Sequence, residues 1–386
     1  MSFIFFIIHI WYVFILLFKW QIRLSLPLII IFYSPMKLRI VVVFLFINLS
    51  FSNLNGQIRA IWATIWSINT SEKIDNIIFI TKKYNFNQIF IQTRYRADAL
   101  YFPNKIDSTF ENSEPRSYIL SDNKFDPLDY IINQLKGSNI EVHVWVPVFV
   151  ITPHDLLKID TNHIYFRHPE WITANKMGVM MKNDEYEGAF LDPGIPAVQT
   201  YMLNIIGDIA KNYDIDGVQL DYIRYPDSTY GYNELALENF HKSGYEDFNI
   251  WKEDQISGFV NKVFIELKNI NSKLKLSAAV YGDQSKAVKS LSQNWKKWLK
   301  SYYIDDVYVM AYNRSNDLFE KTIKGIEDVN RNKTNIVLRA WRDEKHYSYS
   351  QINDKINICK RYGFNNIGFY SYSGLVKGNY LKYIKF

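Results

Sequence analysis

Cysteine is nearly absent: the chain has 386 residues and a single thiol, Cys359. This excludes an intrachain disulfide and a metal centre built on several thiolates, and with no cysteine near the N-terminus a lipid-modified lipoprotein anchor is not expected. Acidic residues are missing from the first 56 positions, which hold Lys19, Arg23, Lys37 and Arg39 but no Asp or Glu. Removing those four cations from the formal net charge of +6 leaves +2, so the body of the chain makes no case for a nucleic-acid partner. The seven histidines are scattered and show no metal-ligand spacing, so neither a metal nor another cofactor is expected. A glycine-rich phosphate turn is also missing. The first strand-like run leads into WSINTSEK, where an open doubly wound nucleotide-binding sheet would usually carry glycines.

What is present is ordinary except for the aromatics. Hydrophobic residues make up 48% and charged residues 22%, which rules out wholesale disorder. Aromatics reach 17%, with 28 Tyr, 26 Phe and 10 Trp. That excess fits either a coding bias toward Ile, Asn, Lys and aromatic codons or an aromatic-lined cleft for a sugar or peptide.

The N-terminus reads as an address. Residues 1–18 are apolar and uncharged, about the length that spans a bilayer. A second unit begins at Met36, with Lys37 and Arg39, an apolar run from Ile40 to Ile47, and then small and polar residues, the layout of a secretory signal peptide. The reading adopted is that translation begins at Met36 and residues 1–35 are an over-extended gene model; the alternative is that residues 1–18 anchor the protein in a membrane. Either way residues 1–56 form an export segment. The body, 57–386, is expected in the periplasm or outside the cell, touching a membrane only through such an anchor.

From residue 58 onward, strand-like runs alternate with amphipathic stretches. The runs are 58–65, 87–93, 140–150, 216–221, 275–281, 305–312, 335–341 and 365–372, and helical patterns lie at 71–84, 126–136, from Pro196, 251–269, 293–300, 317–329 and 350–361. The runs are rich in β-branched residues and continuous, as strands buried on both faces should be. Eight such units predict an α/β fold, a (β/α)8 TIM barrel, with long loops after strands 2, 3 and 4. In such a barrel the chemistry sits at the C-terminal ends of the strands. Those ends carry Arg94, Arg96 and Asp98; Trp145; Asp221 and Arg224; Tyr281 and Asp283; Tyr312 and Asn313; Trp341, Arg342, Asp343 and Glu344; and Tyr370 and Tyr372. Carboxylates, arginines and aromatics dominate, with no Ser–His–Asp set. Asp221 stands out because a carboxylate closing a buried strand is costly unless paired, hydrogen-bonded or employed. A structural Asp221 tied to Arg224 is the competing reading. For Asp283 the competitor is an ordinary Gly-Asp turn, and for Asp343 and Glu344 a solvated loop. His143, inside the third strand, reads as a satisfied core residue.

Six segments occur in order: RAIWATIW, FIQTRYRADALYFP, EVHVWVPVF, FRHPEWI, FLDPGIPAVQTYMLNIIGDIAKNYDIDGVQLDYIRYP and SQNWKKWLKSYYIDDVYVMAYN. Together they make the chain resemble the glycosyl-hydrolase-like family 10 of bacterial proteins, from about Arg59 to the eighth strand. The resemblance implies a (β/α)8 barrel acting on an oligosaccharide or polysaccharide. It points to Asp221 as a catalytic carboxylate and to Arg94, Asp98, Tyr101, Trp145 and Arg224 as cleft residues. Three positions depart from related patterns. Tyr222 stands where the family often has a second acid, Val146 lies in WVPVFV where an Asn-Pro-Tyr-Arg type segment is common, and Ile223 occupies the place of the acid in chitinase-type barrels.

Glycoside hydrolysis normally takes two carboxyl groups across the scissile bond. The assignment made from sequence is Asp221 as acid/base and Asp283, on the adjacent strand, as its partner, with Asp98 in reserve. Trp145, Tyr312 and Tyr370 would stack on sugar rings. A close Arg224 would lower the Asp221 pKa and suit a nucleophile; a distant one, with Asp283 nearby, would leave it raised and suit a proton donor. The alternative function is a non-catalytic glycan-binding protein on a decayed barrel, which the absent second acid favours.

Overall fold

The computed structural model describes residues 57–341 and 348–385. The expected export segment in residues 1–56, and Arg342, Asp343 and Glu344, lie outside them. The strands are β1 (Arg59–Ala63), β2 (Gln88–Gln92), the short β3 (Arg94–Tyr95) and β4 (Asp98–Ala99), β5 (Glu141–Pro147), β6 (Gly217–Asp221), β7 (Lys275–Tyr281), β8 (Asp306–Ala311), β9 (Thr334–Arg339) and β10 (Ile367–Tyr370). Eight of them close into a parallel barrel in the order β1-β10-β9-β8-β7-β6-β5-β2, while β3 and β4 form a separate antiparallel hairpin. This is the (β/α)8 barrel expected from the alternation of runs.

Every barrel strand is buried on both faces, but the two faces differ in chemistry. Side chains alternate across a strand, so Val142, Val144, Val218, Leu220, Val307 and Val309 join the aliphatic layer under the helices. The intervening residues point inward, where Ala60, Trp62, Phe90, Trp145, Tyr308 and Val337 form a second cluster. Trp62 stacks on Phe90 at 4.4 Å between ring centroids, and Tyr308 meets both rings edge-on. Buried rings still need partners for their polar atoms. Trp62 Nε1 donates to Gln219 Oε1 at 2.6 Å and the Tyr308 hydroxyl to Gln88 Oε1 at 2.6 Å. His143 is buried as expected, with Nε2 3.0 Å from Glu141 Oε2 at the N-terminal rim.

The helices follow local signals. Pro196–Asn212 begins with proline at its first position, where no N–H is required, and buries Val198, Met202, Ile205, Ile206 and Ile209 at helical spacing. Phe248–Ile270 starts from Asp247, whose side chain accepts from Asn249 N and Ile250 N. Four helices are not anticipated by the sequence patterns: Ile164–Arg167, Glu234–Lys242, Gln284–Leu291 and Tyr372–Lys377. Each is short, and in Gln284–Leu291 only Ala287 and Leu291 are buried, too few apolar positions to register as a period.

The long connections rise from the C-terminal ends of the strands. Val148 N donates to Asp221 O at 2.7 Å and Leu191 N to Phe149 O at 2.8 Å, so the 148–195 segment leaves and returns along the barrel rim. Asp192, in the LDPG turn, is fully buried and accepts from Thr173 Oγ1 at 2.8 Å and from Gly194 N at 2.9 Å, which ties the segment down.

The interior leaves no room at Gly368 on β10. A Cβ there would lie 2.4 Å from Trp62 Cζ3, and Trp62 is held by Phe90 and Gln219. Gly368→Ala is therefore expected to destabilise the barrel by about 1–3 kcal/mol through overpacking. Urea unfolding measures the loss, and a changed near-ultraviolet tryptophan signal would place it at Trp62.

Candidate active site

The strand ends surround an open cavity of about 510 Å³, whose wall includes Asp221, Asp283, Glu187, Arg224, Tyr312 and Tyr370. Asp221 is the last residue of β6, and the pleat that buries Val218 and Leu220 outward turns Gln219 and Asp221 inward. The chain then turns sharply. Tyr222 has φ of 50°, a left-handed conformation that is costly for a residue with a side chain and often marks a functional turn. That turn brings Tyr222 N back to donate to Asp221 Oδ1 at 2.7 Å. The other oxygen, Oδ2, accepts from Trp145 Nε1 at 2.9 Å.

Asp221 keeps part of its surface open where it lines the cavity, yet protein crowds its carboxyl, and burial pushes its pKa above the usual carboxylate range. The hydrogen bonds from Tyr222 and Trp145, and the charges of Arg224 and Arg96, pull it back down but do not cancel the rise. Arg224 does not close on Asp221. Its Nη1 donates to the carbonyls of Tyr225 and Pro226, both at 3.2 Å, and its Nη2 lies 3.9 Å from Glu187 Oε2. Its guanidinium sits over the rings of Tyr222, Phe190 and Tyr281 at 5.1–5.5 Å. The raised state of Asp221 is the one that suits proton donation, and burial, not a neighbouring Asp283, is its largest cause.

Asp283 also lines the cavity, but as an exposed residue. Its Oδ1 accepts from Lys286 N at 3.0 Å and caps the helix Gln284–Leu291, so it holds a turn as well as facing the site. Tyr312 and Tyr370 are partly buried, stack on each other at 5.9 Å and face the cavity. Burial, with the nearby Asp221 carboxylate adding to it, pushes the Tyr370 hydroxyl up to about 12. Trp145 is 5% exposed with its N–H committed to Asp221, so it positions the carboxyl more than it offers a face to a sugar.

Three expected cleft residues lie away from the cavity wall. Arg94 is fully buried and paired with Glu114, its Nε 2.7 Å and its Nη2 2.6 Å from Oε1, and its Nη1 donates to Val148 O at 3.0 Å. Tyr101 is fully buried, its hydroxyl accepting from Asn112 Nδ2 at 2.7 Å. Asp98, on the β3–β4 hairpin, is 2% exposed beside the same cluster. Together they anchor the segment after β2. Glu187 and Arg96 were missed as candidates. Glu187 sits in the polar run DEYEG, where no period distinguishes it from a solvated loop, and Arg96 stood at a recognised strand end without an argument of its own.

A family model described as glycosyl hydrolase-like 10 matches residues 57–353. Glycosyl hydrolase YngK of Bacillus subtilis (strain 168) is 24% identical over 276 residues, 65% of this chain and 50% of that protein. Glycosyl hydrolase DigH of Escherichia coli (strain K12) is 22% identical over 251 residues, 58% of this chain and 53% of that protein. The chain thus spans about half the length of the curated relatives it matches. The glycoside hydrolase domain of PgaB (BpsB) from Bordetella bronchiseptica shares the fold, with a TM-score of 0.66 at 14% identity, covering 84% of this chain and 97% of that one.

Asp98 generates a stability prediction. Burial first, then Glu114 and Asp160, push its carboxyl up to about 8 against the counter-pull of Arg94, and its Oδ1 has no hydrogen-bond partner among the described residues. Folding therefore favours the protonated form. The stabilisation is complete below the unfolded value of about 3.9 and is lost as pH rises through about 8. Asp98→Asn, which cannot ionise, is expected to flatten this decline and to be more stable than the parent above about pH 8. Urea unfolding of both proteins at acidic and alkaline pH checks it; parallel pH dependences would refute the assignment.

Proposed function

The chain belongs to the glycosyl hydrolase-like 10 family, and from that membership and the buried Asp221 at the barrel mouth we propose an exported glycoside hydrolase that cleaves a polysaccharide or cell-wall glycan by carboxylate acid/base chemistry. The observation that carries the proposal is the raised carboxyl of Asp221 on the wall of an open, aromatic-sided cavity. A glycosidase needs one carboxyl that stays protonated to donate to the leaving oxygen. Crowding at the end of β6 favours that form in Asp221. Trp145 Nε1 and Tyr222 N hold the carboxyl in place and compensate the negative charge left once the proton has moved.

The second carboxylate, nucleophile or activator of water, comes from Asp283 or Glu187, the other two carboxylates on the wall. Asp283 has the simpler access, being exposed and fixed by its helix; Glu187 is half-buried and held near Arg224. Tyr312 and Tyr370 supply rings for a sugar face, the arrangement expected where amphipathic pyranoses bind. Export follows from the signal-like segment at Met36. The glycan-binding alternative draws support from the capping role of Asp283, which gives that residue a structural reason to exist.

Asp221→Asn preserves size and removes the ionisable proton. It is expected to lower the release of new reducing ends from bacterial cell-wall or plant glycans by about 10²–10⁴-fold with the thermal melt unchanged. Asp283→Asn and Glu187→Gln, assayed in parallel, identify the partner. Turnover retained within about tenfold in a folded Asp221→Asn protein would remove Asp221 from catalysis. Glycan binding without products in the parent would favour the binding protein.

A further inference from the structure

Trp66 is an anomaly on the rim of the barrel. It lies in the 3-10 turn Ile65–Ser67, just beyond β1, and is 57% exposed although it is among the largest apolar side chains of the molecule. An isolated exposed aromatic needs no explanation, but Trp66 is not isolated. Its ring meets Tyr95 edge-on at 6.3 Å, and Tyr118, 37% exposed, adjoins Tyr95. Beyond Tyr95 comes Arg96, whose guanidinium lies 5.4 Å from the Tyr95 ring and 5.7 Å from the ring of Tyr222. Tyr222 lines the cavity, and the charge of Arg96 acts on Asp221. A continuous row therefore runs from exposed surface to the carboxyl: Trp66, Tyr95, Arg96, Tyr222, Asp221.

The backbone at the middle of this row is costly. Arg96 and Ala97 form the two-residue tip of the β3–β4 hairpin, with φ of 54° and 64°. Such a tip favours Asn-Gly, because residues with a larger side chain resist positive φ. It is held by His163, whose Nε2 lies 2.6 Å from the Arg96 carbonyl. The tip directs Arg96 between two rings, and Arg96 Nε, although buried, has no hydrogen-bond partner among the described residues. A guanidinium held between two aromatic rings, with Nε not committed to a partner among the described residues, fits a ligand that has both an apolar face and hydroxyl acceptors. A pyranose chain has both: its C–H face lies on an aromatic ring and its oxygens accept from a guanidinium.

We propose that Trp66 and Tyr95 form a carbohydrate-binding platform, joined by Arg96 to the cavity, that holds the distal residues of an extended glycan whose nearer residues reach Asp221. The platform rests on the reading of the cavity as a glycan site. It selects long chains, because Trp66 is not part of the cavity wall that a short ligand would occupy.

The test is binding by the full chain carrying Asp221→Asn, so that the ligand is not cut. The probes are cello-, malto- and chito-oligosaccharides from disaccharide to octasaccharide, measured by titration calorimetry. Affinity is expected to rise with length in at least one series. Adding Trp66→Ala should weaken the longest ligands by about tenfold, equivalent to ~1.4 kcal/mol, and leave the disaccharide within about twofold, while Trp66→Phe keeps most of the length dependence. An equal loss at every length, no loss at any length, or no binding in any series overturns the platform. Products formed by the parent protein without a Trp66-dependent length effect sink the platform alone. Length-dependent binding through Trp66 with no products from the parent sinks the hydrolase reading and leaves the platform standing.

Discussion

The pairing of β1 with β10, Arg59 with Ile367, Ala60 with Gly368 and Ile61 with Phe369, joins the two ends of the sheet and makes it a barrel. An open sheet would leave two unpaired edges and an interior face exposed to water. Closure forces eight rows of inward side chains into one dry space. Trp62, Phe90, Trp145 and Tyr308 fill that space, and the carboxyl of Asp221 sits at its upper rim. The raised pKa of Asp221 is therefore a consequence of topology: the strand supplies the residue, and the closed interior supplies the desolvation.

The aromatic excess has a matching explanation in the fold. Composition alone left coding bias and an aromatic cleft as rival readings. The rings serve in several places: Trp62, Phe90 and Tyr308 pack the interior, Tyr312 and Tyr370 face the cavity, and Trp295 and Trp298 lie in the buried layer under the helices. A β-barrel interior tapers and must be filled by side chains from alternate strand positions, so broad, flat rings suit it as well as they suit a sugar. Counting aromatics could not have separated these uses, because they depend on strand phase.

The barrel itself was legible because eight runs of buried strand recur at regular intervals, and position along a strand then predicts which end is the mouth. The position of Asp221 at that mouth was legible for that reason. Arg94, Asp98 and Tyr101 show where the reasoning stops. They follow the end of β2 in sequence, but the β3–β4 hairpin folds them beneath the surface, where Arg94 meets Glu114 across twenty residues of loop. Loop residues carry no period, so the direction in which a side chain leaves a loop is set by tertiary contacts such as the Arg94–Glu114 pair. Glu187 is the converse case, a loop carboxylate with no local signal that the fold returns to the mouth.

The three carboxylates of the mouth differ in surroundings more than in chemistry. Asp221 is crowded by protein and held by two N–H donors. Asp283 is exposed and tied to the start of a helix. Glu187 is half-buried and close to the Arg224 guanidinium. A site that must give a proton and later take one back needs carboxyl groups whose environments push their proton affinities apart. Tyr222, next to Asp221 in sequence, places no second carboxylate beside it. Desolvation is the largest influence raising the proton affinity of Asp221, so under the proposed hydrolase reading a change that admits water beside Trp145 would act on the same property as a change in the carboxyl itself.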